Sequence, residues 1–314
     1  MIILKADLVK VDRYSDKIWK YVHEQFNRII KNNGLKATKK SDGTIKRQAI
    51  QLTQDEIDFL KLLNNKDSIK ELLKLDVESL KKTITEFQTK FLNLKDTSNN
   101  LNRIFYNIFI SNIYENNKRF DGLKFVQSIG LNTCPYCNRA YIYSIKKNGV
   151  IRPEIDHFYP KALYPYLGLS FYNLIPSCSV CNGITAKHNK DSFEDNLKNP
   201  YEIKKDDFKF KLDITSPSRF NITLDKKIDS NDTYFKLEEF YKYHDDIAQE
   251  LYIKFKQENT KEHFDSLKKS LSGIGFGEDE IYRFLSGGYF KDEDLHKRPL
   301  SKLIKDISEE LKLI

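Results

Sequence analysis

Long apolar runs are missing from this chain. No stretch approaches the about 18–20 consecutive apolar residues that cross a bilayer, and the opening run Met1-Ile2-Ile3-Leu4, ended by Lys5, is too short for the apolar part of a signal peptide. These absences predict a cytoplasmic chain with no membrane partner. A phosphate-cradling glycine loop is missing too. Gly273, Gly275 and Gly277 lack both the G-x-G-x-x-G spacing and a preceding strand, so they read as a helix-helix turn. No internal repeat or low-complexity tract is present.

Cysteine is scarce, four residues in 314, and none is left over: Cys134/Cys137 and Cys178/Cys181 form two CxxC pairs. A CxxC turn presents two thiolates about 3.5–4 Å apart toward one metal, so two such turns close one tetrahedral Zn²⁺ site. The alternatives are two disulfides or four ordinary buried thiols. A reducing compartment argues against disulfides, and Thr133-Cys134-Pro135-Tyr136-Cys137-Asn138 has the composition of a ligand knuckle. A structural zinc is therefore expected.

The chain has 39% hydrophobic residues, with 21 Phe and 18 Tyr, enough for one large core or two to three smaller ones. Its formal charge is +8. The excess is local: between Asn100 and Lys190 eleven Lys/Arg stand against four acids. Four zinc-bound thiolates return about two negative charges, and a positive surface around the cysteines remains. That surface points to an anionic partner.

The first hundred residues read as helices. Ser15 to Lys31 carries apolar residues at helical spacing with Ser15 as N-cap, Thr53 opens a capped helix through Leu63, and Asp67 to Leu94 continues the pattern. The basic stretch Lys36 to Arg47 between them reads as an exposed loop, either a linker or a DNA-contacting arm. Leu101 to Tyr114 and Leu123 to Ile129 are helical up to Gly130. Ala140 to Ile145 and Val150 to Ile155 then read as a hairpin turned at Asn148-Gly149, with a short helix from Asn182 to about Lys190. Strands are expected over Phe208 to Ile214 and Phe220 to Leu224. Helices follow over Leu237–Phe255, Glu262–Leu271, Glu278–Leu285 and Pro299–Leu311, the last with Lys302, Lys305 and Asp306 on its polar side. Segments 1–99, 100–199 and 200–314 divide the chain by character.

Between the cysteine pairs lie Asp156-His157-Phe158-Tyr159-Pro160-Lys161 and Asn173, and Asn182 directly follows the last cysteine. In this order the residues from Cys134 to Lys190 resemble the zinc-supported HNH (ββα-metal, His-Me finger) endonucleases. The resemblance implies an α+β fold: a small zinc-stabilised ββα-metal core embedded between mostly α-helical flanks. It implies His157 as general base, with Asp156 and Asn182 holding a catalytic Mg²⁺ or Mn²⁺ and Asn173 fixing the loop that orients the base. Neutral imidazole suits proton removal from water, and a hard cation suits charge building on phosphate and leaving oxygen. Lys187, Lys161 and Arg139 are candidate phosphate contacts. His188 is a candidate extra ligand, although many members have Gly there. His23, His244, His263 and His296 read as ordinary surface or packing histidines.

The Cys-Pro-Tyr-Cys and His-Phe-Tyr-Pro-Lys wording, with Lys297-Arg298-Pro299-Leu300-Ser301-Lys302 before a terminal helix, is similar to the HNH subunits of ATPase-partnered anti-phage systems, the PtuB family of Septu systems among them. That narrower resemblance implies DNA cleavage in antiviral defence, an ATPase subunit as partner and no small-molecule substrate. The competing readings are a non-catalytic zinc module that binds nucleic acid or scaffolds a complex, and an RNA-directed nuclease toxin.

Overall fold

Each helix of the first hundred residues starts where a short polar side chain can satisfy its free N–H groups. In a computed structural model, which describes residues 1–216, 219–256 and 260–311, Asp7 caps α1 (Leu8–Lys31) and Thr53 caps α2 (Gln54–Leu63) in a reciprocal box with Glu56. Asn65 caps α3 (Lys66–Lys74) and Asp76 caps α4 (Val77–Lys90). Two expectations change here. Ser15 lies inside α1, its Oγ donating to the Asp12 carbonyl at 2.9 Å, because Asp7 starts the helix earlier. The Asp67–Leu94 pattern breaks in two because Leu75 turns extended (ψ 122°) and Asp76 begins a new helix.

The helix α1 buries Val11, Ile18, Val22, Phe26 and Ile29 along one face, each such side chain contributing about 1.5–3 kcal/mol on leaving water. It packs on α3 and on the chain that follows α5 (Asn100–Phe105). There the winding widens into a π-helix, Tyr106–Tyr114, closed by Glu115 N–H donating to the Ile110 carbonyl at 2.9 Å. The helix α6 (Gly122–Ile129) ends at Gly130, whose φ of +78° suits a residue without Cβ. The Lys36–Arg47 stretch is a small hairpin rather than a plain loop. Thr38–Lys39 pairs with Ile45–Arg47, outside a second pair formed by Gly34–Leu35 and Ile50–Gln51.

The middle hairpin is shorter than expected, pairing only Ile145–Lys146 with Val150–Ile151. The longer strand, Glu154–His157, instead pairs antiparallel with Leu174–Ser177, in register Asp156 to Ile175 and His157 to Leu174. Helix α7 spans Ser179–Asn182 and stops at Gly183, so Asn182 ends a helix instead of opening one. Strands Phe208–Ser216 and Arg219–Lys226 form an antiparallel pair covered by the terminal helix, Ser301–Glu310. That helix corrects another expectation: Lys302, Lys305 and Asp306 are buried. Their charges are neutralised by Lys302–Asp306 and Lys305–Asp292 pairs, each at 2.5 Å. The fold is thus mixed α+β with small two-stranded sheets, and one apolar cluster extends from Met1 to Ile307. No helix among the described residues is long and apolar enough to cross a membrane.

Candidate metal centre and acid-histidine site

The two CxxC pairs meet. All four sulphurs lie within 4.8 Å of one another, none in a disulfide. Tetrahedral Zn–S bonds of about 2.3 Å set sulphurs about 3.8 Å apart, so this buried, all-thiol donor set fits a structural Zn²⁺. Backbone N–H groups of Arg139 and Cys181 point at the Cys137 and Cys178 sulphurs, at 3.4 and 3.5 Å. The first knuckle is closed by Asn138, in left-handed conformation (φ 49°), whose N–H donates to the Cys134 carbonyl at 2.7 Å.

Asn138 also anchors the knuckle to the far end of the chain. Its Nδ2 donates to Thr133 Oγ1 and to the Leu295 carbonyl, its Oδ1 accepts from Lys302 N–H, and its carbonyl accepts from Leu300 N–H. The Tyr241 hydroxyl donates to the Cys137 carbonyl at 2.6 Å, and Ile2 N–H donates to Pro135 O at 3.0 Å.

The strand Glu154–His157 carries the acid and the histidine away from the cysteines. Asp156 accepts from Tyr136 OH at 2.5 Å and from Lys187 Nζ at 3.2 Å. Burial pushes its carboxyl up and pushes the Lys187 ammonium down, against their mutual attraction. Lys187 corrects an expectation: its side chain is 0% exposed, and Nζ donates onward to the His157 carbonyl at 2.8 Å. An ammonium so enclosed cannot meet a phosphate backbone. Arg139 lies over the Phe240 ring, 3.9 Å from its centroid, and does not line the cavity described below.

His157 Nε2 sits 3.0 Å from the Gly168 carbonyl. A carbonyl only accepts, so Nε2 carries the proton and Nδ1 is left as the basic nitrogen. Burial, aided by the Lys161 charge, pushes this imidazole down to about 3, so it is neutral at physiological pH. The Tyr114 ring stands edge-on to it, with centroids 4.5 Å apart. Gly168 lets the loop approach the π-helix closely: a Cβ there would lie 2.2 Å from Ile110 Cδ1 and 3.0 Å from the Pro165 carbonyl oxygen, and the Ile110 side chain would have to shift.

Asp156, His157, Lys161, Asn182 and His188 line one cavity of about 220 Å³, together with Tyr114. Asn182 donates through Nδ2 to Glu154 Oε2 at 2.7 Å, which turns its Oδ1 into the free acceptor. Lys161 pairs with Glu115 at 3.1 Å on the rim. His188 is exposed, in a left-handed conformation (φ 41°) outside any helix. Asn173 stays outside the cavity and ties the loop: Oδ1 accepts from Tyr159 N–H at 2.6 Å, and Nδ2 donates to the Tyr159 and Leu167 carbonyls. His23, His244 and His296 do not line the cavity, and the side chain of His263 lies outside the described residues.

Sequence reasoning missed Glu154, Tyr136, Tyr114 and Gly168. Only Glu154 left a signal, since positions i and i+2 of a strand share a face and Glu154 precedes Asp156 by two. The chain is 38% identical over 69 residues to the Septu protein PtuB of Bacillus thuringiensis. The match covers 22% of this chain and spans only 24% of that protein. No family model matches the chain, and no solved structure matches it.

Proposed function

We propose that the chain is a metal-dependent HNH endonuclease that hydrolyses DNA phosphodiester bonds in anti-phage defence, in complex with an ATPase subunit. The observation that carries the reading is the convergence of Asp156, His157 and Asn182 on one cavity, with the His157 Nδ1 nitrogen unpaired among the described residues. The donor set also fits a hard cation. A carboxylate has about four lone-pair sites, of which Tyr136 and Lys187 take two, and Asn182 Oδ1 has no protein donor among the described residues. Asp156 and Asn182 would hold a Mg²⁺ or Mn²⁺ ion, which supplies Lewis-acid stabilisation of charge on the scissile phosphate.

His157 takes one proton from a water molecule at Nδ1. The water oxygen forms the new bond to phosphorus, the bond from phosphorus to the 3′ oxygen breaks, and that oxygen takes a proton from solvent. The Gly168 carbonyl holds the ring in the required tautomer throughout. Lys161 on the rim is the one candidate phosphate contact that lines the cavity. The nuclease core lies within segment 100–199, and segments 1–99 and 200–314 serve partner docking or grip. The ATPase partnership is supported by the similarity to PtuB.

The test is plasmid cleavage with Mg²⁺ or Mn²⁺ against no added ion, by the chain alone and in complex with its ATPase subunit, with RNA offered in parallel. The expected result is ion-dependent cutting of DNA, lost at least about a hundredfold in His157→Ala, as for removal of a general base, with DNA binding and zinc content retained. Activity equal to wild type in His157→Ala would leave a zinc-stabilised scaffold as the better reading. Cleavage confined to RNA would move the substrate class.

A further inference from the structure

A cavity larger than the one at His157 lies elsewhere in the molecule. It encloses about 780 Å³ between the 34–51 hairpins and the α5/π-helix segment, within the about 300–1,000 Å³ typical of small-molecule sites. Its apolar side is Leu35, Ile50 and Ala162; the Tyr106 ring adds an aromatic surface. Among its lining residues there is no Asp or Glu, but there are two cations, Lys39 and Arg103. Neither side chain has an ion-pair or hydrogen-bond partner among the described residues. An unpaired Arg fork matches phosphate geometry, and the exposed Lys39 beside it adds positive charge that attracts an anion.

The amides on the same wall complete the pattern. Asn107 Oδ1 accepts from Arg28 at 2.8 Å and from Asn112 Nδ2 at 2.9 Å. These two bonds fix both amide orientations and leave Asn107 Nδ2 as a donor and Asn112 Oδ1 as an acceptor without a partner among the described residues. A fixed donor beside a fixed acceptor is what the edge of a nucleobase requires. Asn107 and Asn112 sit on the π-helix, an irregular winding found disproportionately at functional sites.

From this acid-free lining, with Arg103 and Lys39 unpaired beside Tyr106 and the Asn107/Asn112 amides, we propose that the cavity binds a nucleoside phosphate. The ligand is an effector rather than a substrate, because the cavity holds no catalytic constellation. Two elements link it to the other cavity. The π-helix whose Tyr106, Asn107 and Asn112 line the large cavity ends at Tyr114, edge-on to His157. Ala162, on the wall of the large cavity, follows Lys161 on the rim of the small one. Transmission of occupancy to cleavage rests on the nuclease reading; binding itself does not.

The experiment is therefore a binding one. The full chain, zinc-replete, is titrated calorimetrically with ATP, GTP, CTP and UTP, with inorganic triphosphate and adenosine as separate probes. At least one nucleotide is expected to saturate at one site per chain, more tightly than either probe alone. Arg103→Ala should weaken it about tenfold or more, the loss of a charge-assisted contact, and Arg103→Lys should recover part of it. Asn107→Leu should weaken the nucleotide but not inorganic triphosphate. His157→Ala should bind like wild type, whether or not the nuclease reading holds. Absence of saturation by all four nucleotides at millimolar concentration overturns the proposal, as does binding that is lost in His157→Ala or unchanged in Arg103→Ala. Inorganic triphosphate binding as tightly as the best nucleotide would overturn the nucleoside part. Thermal melts of each variant identify a folding defect, and Arg103→Lys carries the test if Arg103→Ala has one.

Discussion

Replacing Lys187 by Met keeps the stem of the side chain and removes its charge, which isolates what the ammonium does. In the structure Lys187 is 0% exposed and Asp156 3% exposed, with 3.2 Å between Nζ and Oδ1. Taking one partner from a buried ion pair leaves the other charge uncompensated and costs about 3–5 kcal/mol. The loss should fall near the lower end, about 3 kcal/mol, because Tyr136 OH still donates to the other Asp156 oxygen. That is a large part of the roughly 5–15 kcal/mol by which a domain is stable. Urea unfolding followed by far-ultraviolet circular dichroism, in zinc-containing buffer without magnesium, measures it. Adding Asp156→Asn to Lys187→Met should restore much of the loss, since the stranded charge is then gone; the double-mutant cycle gives the coupling directly. A phosphate-binding lysine behaves in the opposite way. If Lys187→Met loses less than about 1 kcal/mol but weakens DNA binding in proportion to salt, the buried-pair account is wrong.

Two further outcomes follow from other parts of the fold. Cys178→Ser should lower bound zinc from about one per chain to near none, read by elemental analysis, and open the knuckle regions to limited proteolysis; full zinc occupancy in that variant would remove the four-thiolate assignment. Asp207 accepts from Lys198 Nζ and from Lys204 N–H, both at 2.6 Å. Although burial pushes the carboxyl up, these bonds outweigh it and hold its pKa below the ordinary 3.8. A depressed carboxylate contributes stability that is complete above its unfolded value and fades as pH falls through the folded one. The stability gap between wild type and Asp207→Asn should therefore be constant at neutral pH and close below about 3.8 in acid unfolding curves. A gap that persists unchanged to the lowest pH would assign the effect to packing.

Local signals were the legible ones. Thr53 with Glu56, Gly130 and the alternation from Phe208 to Leu212 each act within a few residues, and each element formed where expected. The two CxxC pairs were legible because metal-ligand spacing is itself local, and their meeting in one cluster follows from the ligand count. Long-range pairing was not. Leu174–Ser177, the partner of the Asp156-His157 strand, is buried throughout and contains Pro176, so it shows neither alternation nor ordinary strand composition. Lys187 and Lys305 misled for a different reason: lysine is almost never fully enclosed unless paired, and the partners Asp156 and Asp292 become visible only in three dimensions, whereas Lys302 and Asp306 stand four residues apart on one helix and only their burial was hidden. The π-helix has no compositional mark, because its extra residue per turn is compensated by tertiary packing rather than by propensity.

The Asn138 anchor changes how the flanks should be regarded. The cysteine knuckle is tied through hydrogen bonds to Ile2, Tyr241, Leu295, Leu300 and Lys302, residues drawn from both ends of the chain. The middle third is consequently not a self-sufficient module that could be lifted out and put to work. Cut free, it would expose the Asn138 amide and the knuckle carbonyls to water and lose the scaffold that keeps the thiols together. A shift of the terminal helix against the knuckle would therefore reach the four thiols without touching a cysteine.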